Sequence, residues 1–150
     1  MKISEITVPN HIPFELLLTA DPNPLLVRQY LQQGRCYAAY DHTDLVGVYV
    51  LNRNSPQVNE IINIAVQPDY QNQGIGRKLI NHAIVESEIQ GCREVEIGTG
   101  NSSIGQLALY QKCGFRIKAV IKDFFTNNYP EEIIENGIVC RDMIRLSRSL

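Results

Sequence analysis

The chain has 150 residues, 44% of them hydrophobic and 20% charged, with a formal net charge of -2. That size suits one domain with its own core, and the composition is too apolar for a disordered tail and too mixed for a fibre. Fourteen basic residues scattered along a near-neutral chain give nucleic-acid binding no support, and no apolar run approaches the roughly 18 residues that span a bilayer.

The run Phe14–Ala20 is interrupted by Glu15, followed by Asp21 and Pro22, and lacks a basic leader, which argues against a secretory signal. Four widely spaced cysteines (Cys36, Cys92, Cys113, Cys140) form no CxxC pair and read as reduced, buried thiols of a cytoplasmic protein. Apolar positions at helical spacing over residues 13–33 predict two short helices, separated by the DPNP stretch at 21–24 and stopped by Gly34. Cys36–Tyr40 and Leu45–Leu51 read as a hairpin, followed by a longer strand over Val58–Val66. From residue 74 to 90 the period changes: Gly76, Leu79, Ile80, Ala83, Ile84 and Ser87 form one stripe of a helix that Gly91 ends. A strand at Val95–Ile97, a helix over Ser103–Lys112, a strand at Phe115–Ile121 and a last strand over Val139–Leu146 complete the order, with an aromatic and acidic stretch at 123–136. Gly114 stands where a helix C-cap places glycine. The pattern is one α/β domain over residues 1–150, a mixed sheet with helices packed on it.

The segment Gln71-Asn72-Gln73-Gly74-Ile75-Gly76 lies between a strand end and a helix start. Glycines there allow close backbone approach, and free N–H groups at a helix N-terminus make an anion cradle. Arg77 and Lys78 in the first turn oppose the macrodipole, a mismatch that an anionic ligand offsets. Two other phosphate loops fit poorly: Gly74 has no partner for a G-x-x-x-x-G-K-[ST] pattern, and Leu79 stands where a dinucleotide fingerprint needs its third glycine.

The stretch Ile64–Gly76 resembles the acyl-CoA loop of the GNAT superfamily of N-acyltransferases, whose signature is Q/R-x-x-G-x-G/A after a strand. Gln71, Gly74 and Gly76 match it, and Asn101, Tyr110 and Gly114-Phe115 resemble the family's second marker. The resemblance implies a mixed, mostly antiparallel central sheet with flanking helices and a splayed parallel strand pair, 58–66 beside 95–99. It implies acetyl-CoA as cosubstrate, its arm along Ile64, Ala65 and Val66 and its pyrophosphate on Gln71, Asn72, Gln73, Gly74, Ile75, Gly76, Arg77 and Lys78, with Asn101 and Tyr110 contributing. Tyr110 would hydrogen-bond or protonate the departing thiolate. The acceptor would be a primary amine of a small molecule or peptide. No metal, nucleic acid or membrane is called for, and a homodimer is compatible with the fold.

Glu60 alternates with Val58, Ile62 and Ile64, so a regular strand puts it on their face, where apolar neighbours would make its carboxylate a better base. The segment from Asp123 to Asn136 carries Glu131, Glu132 and Glu135 beside Phe124, Phe125 and Tyr129, a composition suited to a cationic acceptor. Two alternatives remain: a non-catalytic acyl-CoA-binding regulator, and a nucleotide- or methyl-donor-binding domain using Gly98-Thr99-Gly100. Ser103 at the third glycine position weighs against the latter.

Overall fold

A computed structural model describes all residues from Met1 to Leu150. Seven strands form one sheet: β1 (Lys2–Ile6), β2 (Arg35–Asp41), β3 (Asp44–Ser55), β4 (Val58–Val66), β5 (Glu94–Gly100), β6 (Arg116–Ile121) and β9 (Met143–Ser149). Their order is β1-β2-β3-β4-β5-β9-β6, and only the β4–β5 pair is parallel. The short strands β7 (Ile134–Glu135) and β8 (Ile138–Val139) make a separate hairpin. The helices are α1 (Phe14–Ala20), α2 (Pro24–Gln33), α3 (Ile75–Ile89), α4 (Ile104–Lys112) and α5 (Phe124–Asn128). No helix is long and apolar enough to cross a membrane.

Two cores flank the sheet. The α3 stripe read from the sequence buries Leu79, Ile80, Ala83 and Ile84 against Tyr49, Leu51, Ile61, Val95 and Ile97, and α4 adds Tyr110 beside Phe115. On the other face, Leu16 and Leu17 of α1 and Val27 and Tyr30 of α2 pack on Val48, Val50 and Ala65. Asn23 begins α2 as its side chain accepts from the Leu26 N–H, so the DPNP break is a cap as well as a stop. All four cysteines are buried and free.

The strand boundaries depart from the pattern-based reading in several places; β3 runs on past Leu51 to Ser55 and β9 past Leu146 to Ser149. β5 runs on to Gly100, where Gly98, Thr99 and Gly100 pair with Arg145, Ile144 and Met143. The last strand starts at Met143 instead of Val139, because Asn101 accepts the N–H groups of Arg141 and Asp142 and donates to Val139 O, fixing that stretch as a connection. β1, α5 and the β7–β8 hairpin have no counterpart in the sequence pattern; each is short and lacks a periodic stripe.

One irregularity decides the geometry of the site. Val50 pairs with Asn63 and Leu51 with Ile61, so Ile62 has no partner and β4 carries a bulge. A bulge bends its strand and increases the local twist. β4 and β5 stay paired from Val58↔Glu94 to Ile61↔Ile97 and then separate.

Candidate active site

Beyond Ile61 the separated strands leave a cavity of about 620 Å³ that passes through the sheet. Ile61, Ile64, Ile97 and Tyr110 line it from the α3–α4 side, and Ile62, Asn63 and Tyr30 from the α1–α2 side. Gln67 donates its N–H to Val46 O across β3. Backbone groups alternate along a strand, so Ile64 and Val66 present theirs to the open side. Val66 O is met there by Gln71 Nε2 at 3.2 Å. This exposed strand edge fits an extended chain with amide groups.

The edge leads into the glycine loop. Gly74 is the N-cap of α3 at φ 82° with no side-chain cap, and Asn72 is also left-handed at φ 61°. The first N–H of α3 to reach a helical carbonyl is that of Lys78, to Gly74 O at 3.2 Å. Those of Ile75, Gly76 and Arg77 have no intrahelical acceptor, which makes this end a receptor for an anion. Space around the two glycines differs. A Cβ on Gly74 would meet nothing within 4 Å, whereas one on Gly76 would lie 3.3 Å from Leu109 Cδ2 of α4. Gly76 therefore also serves helix packing. Arg77 reaches Lys112 O at the C-terminus of α4, and Lys78 stands exposed.

Tyr110 projects from α4 into the cavity wall, 4% exposed. A Schellman cap holds it: Phe115 N–H bonds Tyr110 O, Gly114 N–H bonds Gln111 O, and Gly114 adopts φ 91°. Its ring packs 6.5 Å from that of Phe115. Burial holds the phenol well above the ordinary tyrosine value, and no protein group hydrogen-bonds its hydroxyl. It is a protonated donor without a partner.

The opposite face of the cavity is polar. The bulge puts Ile62 on the α1–α2 side and returns Ile64 to the α3 side, so Glu60 shares a face with Ile62 and not with Ile64. Its neighbours are not apolar. Oε2 accepts from Arg145 Nη1 at 2.9 Å and Oε1 from Asn54 Nδ2 at 2.9 Å. Arg145, on β9, crosses β5 to reach it, and a Cβ on Gly98 would lie 2.8 Å from Arg145 Nη1. Gly100 makes the same kind of room for Cys140 Sγ. The Gly98–Gly100 pair is thus a strand segment whose glycines admit neighbouring side chains, and the dinucleotide reading loses its loop.

Next to Glu60 runs a chain of hydrogen bonds. Asn63 Nδ2 donates to Leu17 O at 3.0 Å and to Tyr30 Oη at 2.8 Å. Tyr30 donates to Asp21 Oδ2 at 3.1 Å, and Tyr129 donates to Asp21 Oδ1 at 2.8 Å. Burial, reinforced by the Asp21 charge, raises both phenols above their ordinary range and keeps them donors. Glu135 lines the same cavity and accepts from Ser102 and Ser103 at the start of α4.

Not every expected residue reaches the site. Asn101 is absent from the cavity wall; its amide is taken up by the backbone at 139–142, and Ser103, two residues on, lines the cavity instead. Glu131 and Glu132 line a separate hollow of about 310 Å³ with Asp123, leaving Glu135 as the one acid of that segment at the main cavity. Ala65 packs its side chain into the α1–α2 core. Tyr129, expected from its segment, does line the cavity, whereas Asp21, Tyr30, Asn63 and Arg145 carry no motif that marks them as site residues. A buried asparagine in an apolar strand and an arginine between Ile144 and Leu146 were the available signals.

A family model described as "Acetyltransferase (GNAT) family" matches residues 7–115. The chain is 53% identical over 133 residues to the uncharacterized N-acetyltransferase YvbK of Bacillus subtilis, covering 89% of this chain and 86% of that one. A structure of an Elizabethkingia anophelis GNAT family acetyltransferase with acetyl-CoA bound superposes with a TM-score of 0.97 at 48% identity, covering 99% of this chain and 97% of that one. The Bacillus cereus protein named IAA acetyltransferase gives a TM-score of 0.96 at 50% identity, with 99% of each chain covered.

Proposed function

Because the chain belongs to the GNAT acetyltransferase family, we propose that it moves the acetyl group of acetyl-CoA directly to a primary amine of a small molecule or peptide. The observation that carries this reading is the cavity through the splayed sheet, with an unpartnered tyrosine donor on one face and carboxylates on the other. The cosubstrate fits from the α3 side. The free edge at Ile64 and Val66 pairs with its amides, and the N–H groups at the start of α3, with Gln71, Asn72, Gln73, Arg77 and Lys78 around them, hold its pyrophosphate. The amine enters from the α1–α2 side.

The amine must attack uncharged, and removing its proton at pH 7 costs roughly 4.6 kcal/mol for a lysine-like group. Of the carboxylates that line the cavity, Glu60 stands one residue from the last β4–β5 pair, Ile61↔Ile97. Its carboxylate is held by Arg145 and Asn54, which fixes it as the group that orients the amine while the proton leaves through water. Attack forms the N–C bond, and the Val66 N–H on the open edge stabilises the oxyanion. Tyr110 then hydrogen-bonds the sulfur as the C–S bond breaks. Full proton transfer from tyrosine to a thiolate is uphill by about 2 kcal/mol or more, and burial of Tyr110 increases that gap. Donation of a hydrogen bond is therefore its contribution, and solvent supplies the proton that ends on CoA.

Thiol release from acetyl-CoA, measured over a panel of polyamines, aminoglycosides, amino acids and peptides, tests the reading. Amine-dependent release, lowered in Tyr110→Phe, is expected. Tight CoA binding with no release for any amine would favour the acyl-CoA-binding regulator.

A further inference from the structure

The acceptor side of the cavity carries more negative charge than its own residues cancel. Three carboxylates line it, Asp21, Glu60 and Glu135, against one cation, Arg145. Arg145 is taken by Glu60 at 2.9 Å and stands 3.8 Å from Glu96. Glu135 receives only serine hydroxyls. Asp21 receives the hydroxyls of Tyr30 and Tyr129 and the N–H of Asn23, and no lysine, arginine or histidine lies within ion-pair distance of it. These three donors are neutral. They fix the carboxylate between the α1–α2 loop and α5 without compensating its charge. A half-buried carboxylate held this way favours a cation from outside.

Asn63 adds an independent observation. It is 4% exposed, and both its amide hydrogens are engaged, on Leu17 O and Tyr30 Oη, which settles the orientation of the amide. Its Oδ1 has no partner, in a residue of the cavity wall. Unsatisfied buried acceptors are rare, and this one lies two hydrogen bonds from Asp21. The rings of Phe124, Phe125 and Tyr129 close the same side.

We infer that the acceptor is a small aliphatic diamine or polyamine, whose second, non-reacting ammonium is bound by the Asp21 carboxylate clasped between Tyr30 and Tyr129, with Asn63 Oδ1 accepting an N–H from the same chain. The inference rests on the acetyl-transfer reading above and names its substrate class. The chemistry selects against acceptors that carry a carboxylate, because the only cavity cation is already paired. It also assists the reaction, since an ammonium close to the reacting amine lowers the latter's proton affinity.

The test compares putrescine and cadaverine with n-butylamine and n-pentylamine at saturating acetyl-CoA, read as kcat/KM, together with calorimetric binding of cadaverine to the protein in the presence of CoA. The diamines should exceed the matched monoamines by about tenfold or more. Asp21→Asn should bring that ratio close to one and abolish cadaverine binding. Tyr129→Phe, which removes one hydrogen bond and no charge, should preserve most of the ratio. Equal kcat/KM for diamines and monoamines in the native protein would overturn the inference while leaving acetyl transfer intact. So would an Asp21→Asn variant that loses activity on both alike, since that marks a structural role. Cadaverine binding that depends on Asp21, without turnover of any amine, would support the site and refute the acetyl-transfer reading instead. Absence of both binding and turnover would refute the two together.

Discussion

Tyr110→Phe separates a chemical role from a packing role because of how the residue is held. The ring sits against Phe115 and stays there in the variant, and the backbone cap through Phe115 N–H and Gly114 N–H does not involve the side chain. The hydroxyl has no protein partner, so its removal orphans no buried group. Stability should therefore change by no more than about 0.5 kcal/mol. If the hydroxyl stabilises the departing sulfur, kcat should fall by ~10²-fold, equivalent to about 2.7 kcal/mol, with CoA affinity preserved. The pH dependence adds a second constraint. Burial raises this phenol, so the donor is present throughout the neutral range and is lost only as pH rises past its folded value, which lies above 10.0. The ratio of native to variant kcat should thus stay flat from about pH 6 to about pH 9. Thiol release under saturating acetyl-CoA, with thermal unfolding and CoA titration on the same preparations, measures all three quantities. An unchanged kcat would return Tyr110 to the core, and a fall in kcat matched by lost CoA affinity or lost stability would refute the assignment to the sulfur.

Three further outcomes follow from geometry. Gly74→Ala meets no steric obstacle but must hold φ 82°, so it should cost about 1 kcal/mol in denaturant unfolding and weaken CoA binding through the displaced α3 N–H groups. Gly98→Ala places a Cβ 2.8 Å from Arg145 Nη1 and 3.0 Å from Met143 Sδ, which should push the guanidinium off Glu60; the Glu60→Gln effect on kcat should be smaller in that background than in the native one, a coupling read by a double-mutant cycle. Glu94 is held below its ordinary value of 4.5 by the Ser147 hydroxyl and Lys118, so its stabilisation is present at neutral pH and disappears as pH falls through the lowered value; Ser147→Ala should raise the midpoint of acid unfolding and leave neutral stability less affected than a core truncation would.

Local rules account for several parts of this fold. The α3 stripe, the DPNP break, the Gly114 cap and the glycine loop each depend on residues within a few positions of one another, and each stands where periodicity and turn chemistry put it. The family motif added the splayed pair and Tyr110. Features that depend on pairing between distant residues lie outside those rules. One unpaired residue in β4, Ile62, reverses the face that Glu60 shares with Ile64, and no alternation of side chains along a single strand reveals a bulge that only the partner strand defines. Arg145 finds Glu60 from 85 positions away, across a strand whose Gly98 leaves it room. Asp21 meets Tyr129 from 108 positions away. Loop and strand-edge chemistry is written in adjacent residues, whereas the charge of a cavity is set by which side chains the sheet register brings to it, and that register is a property of the whole sheet.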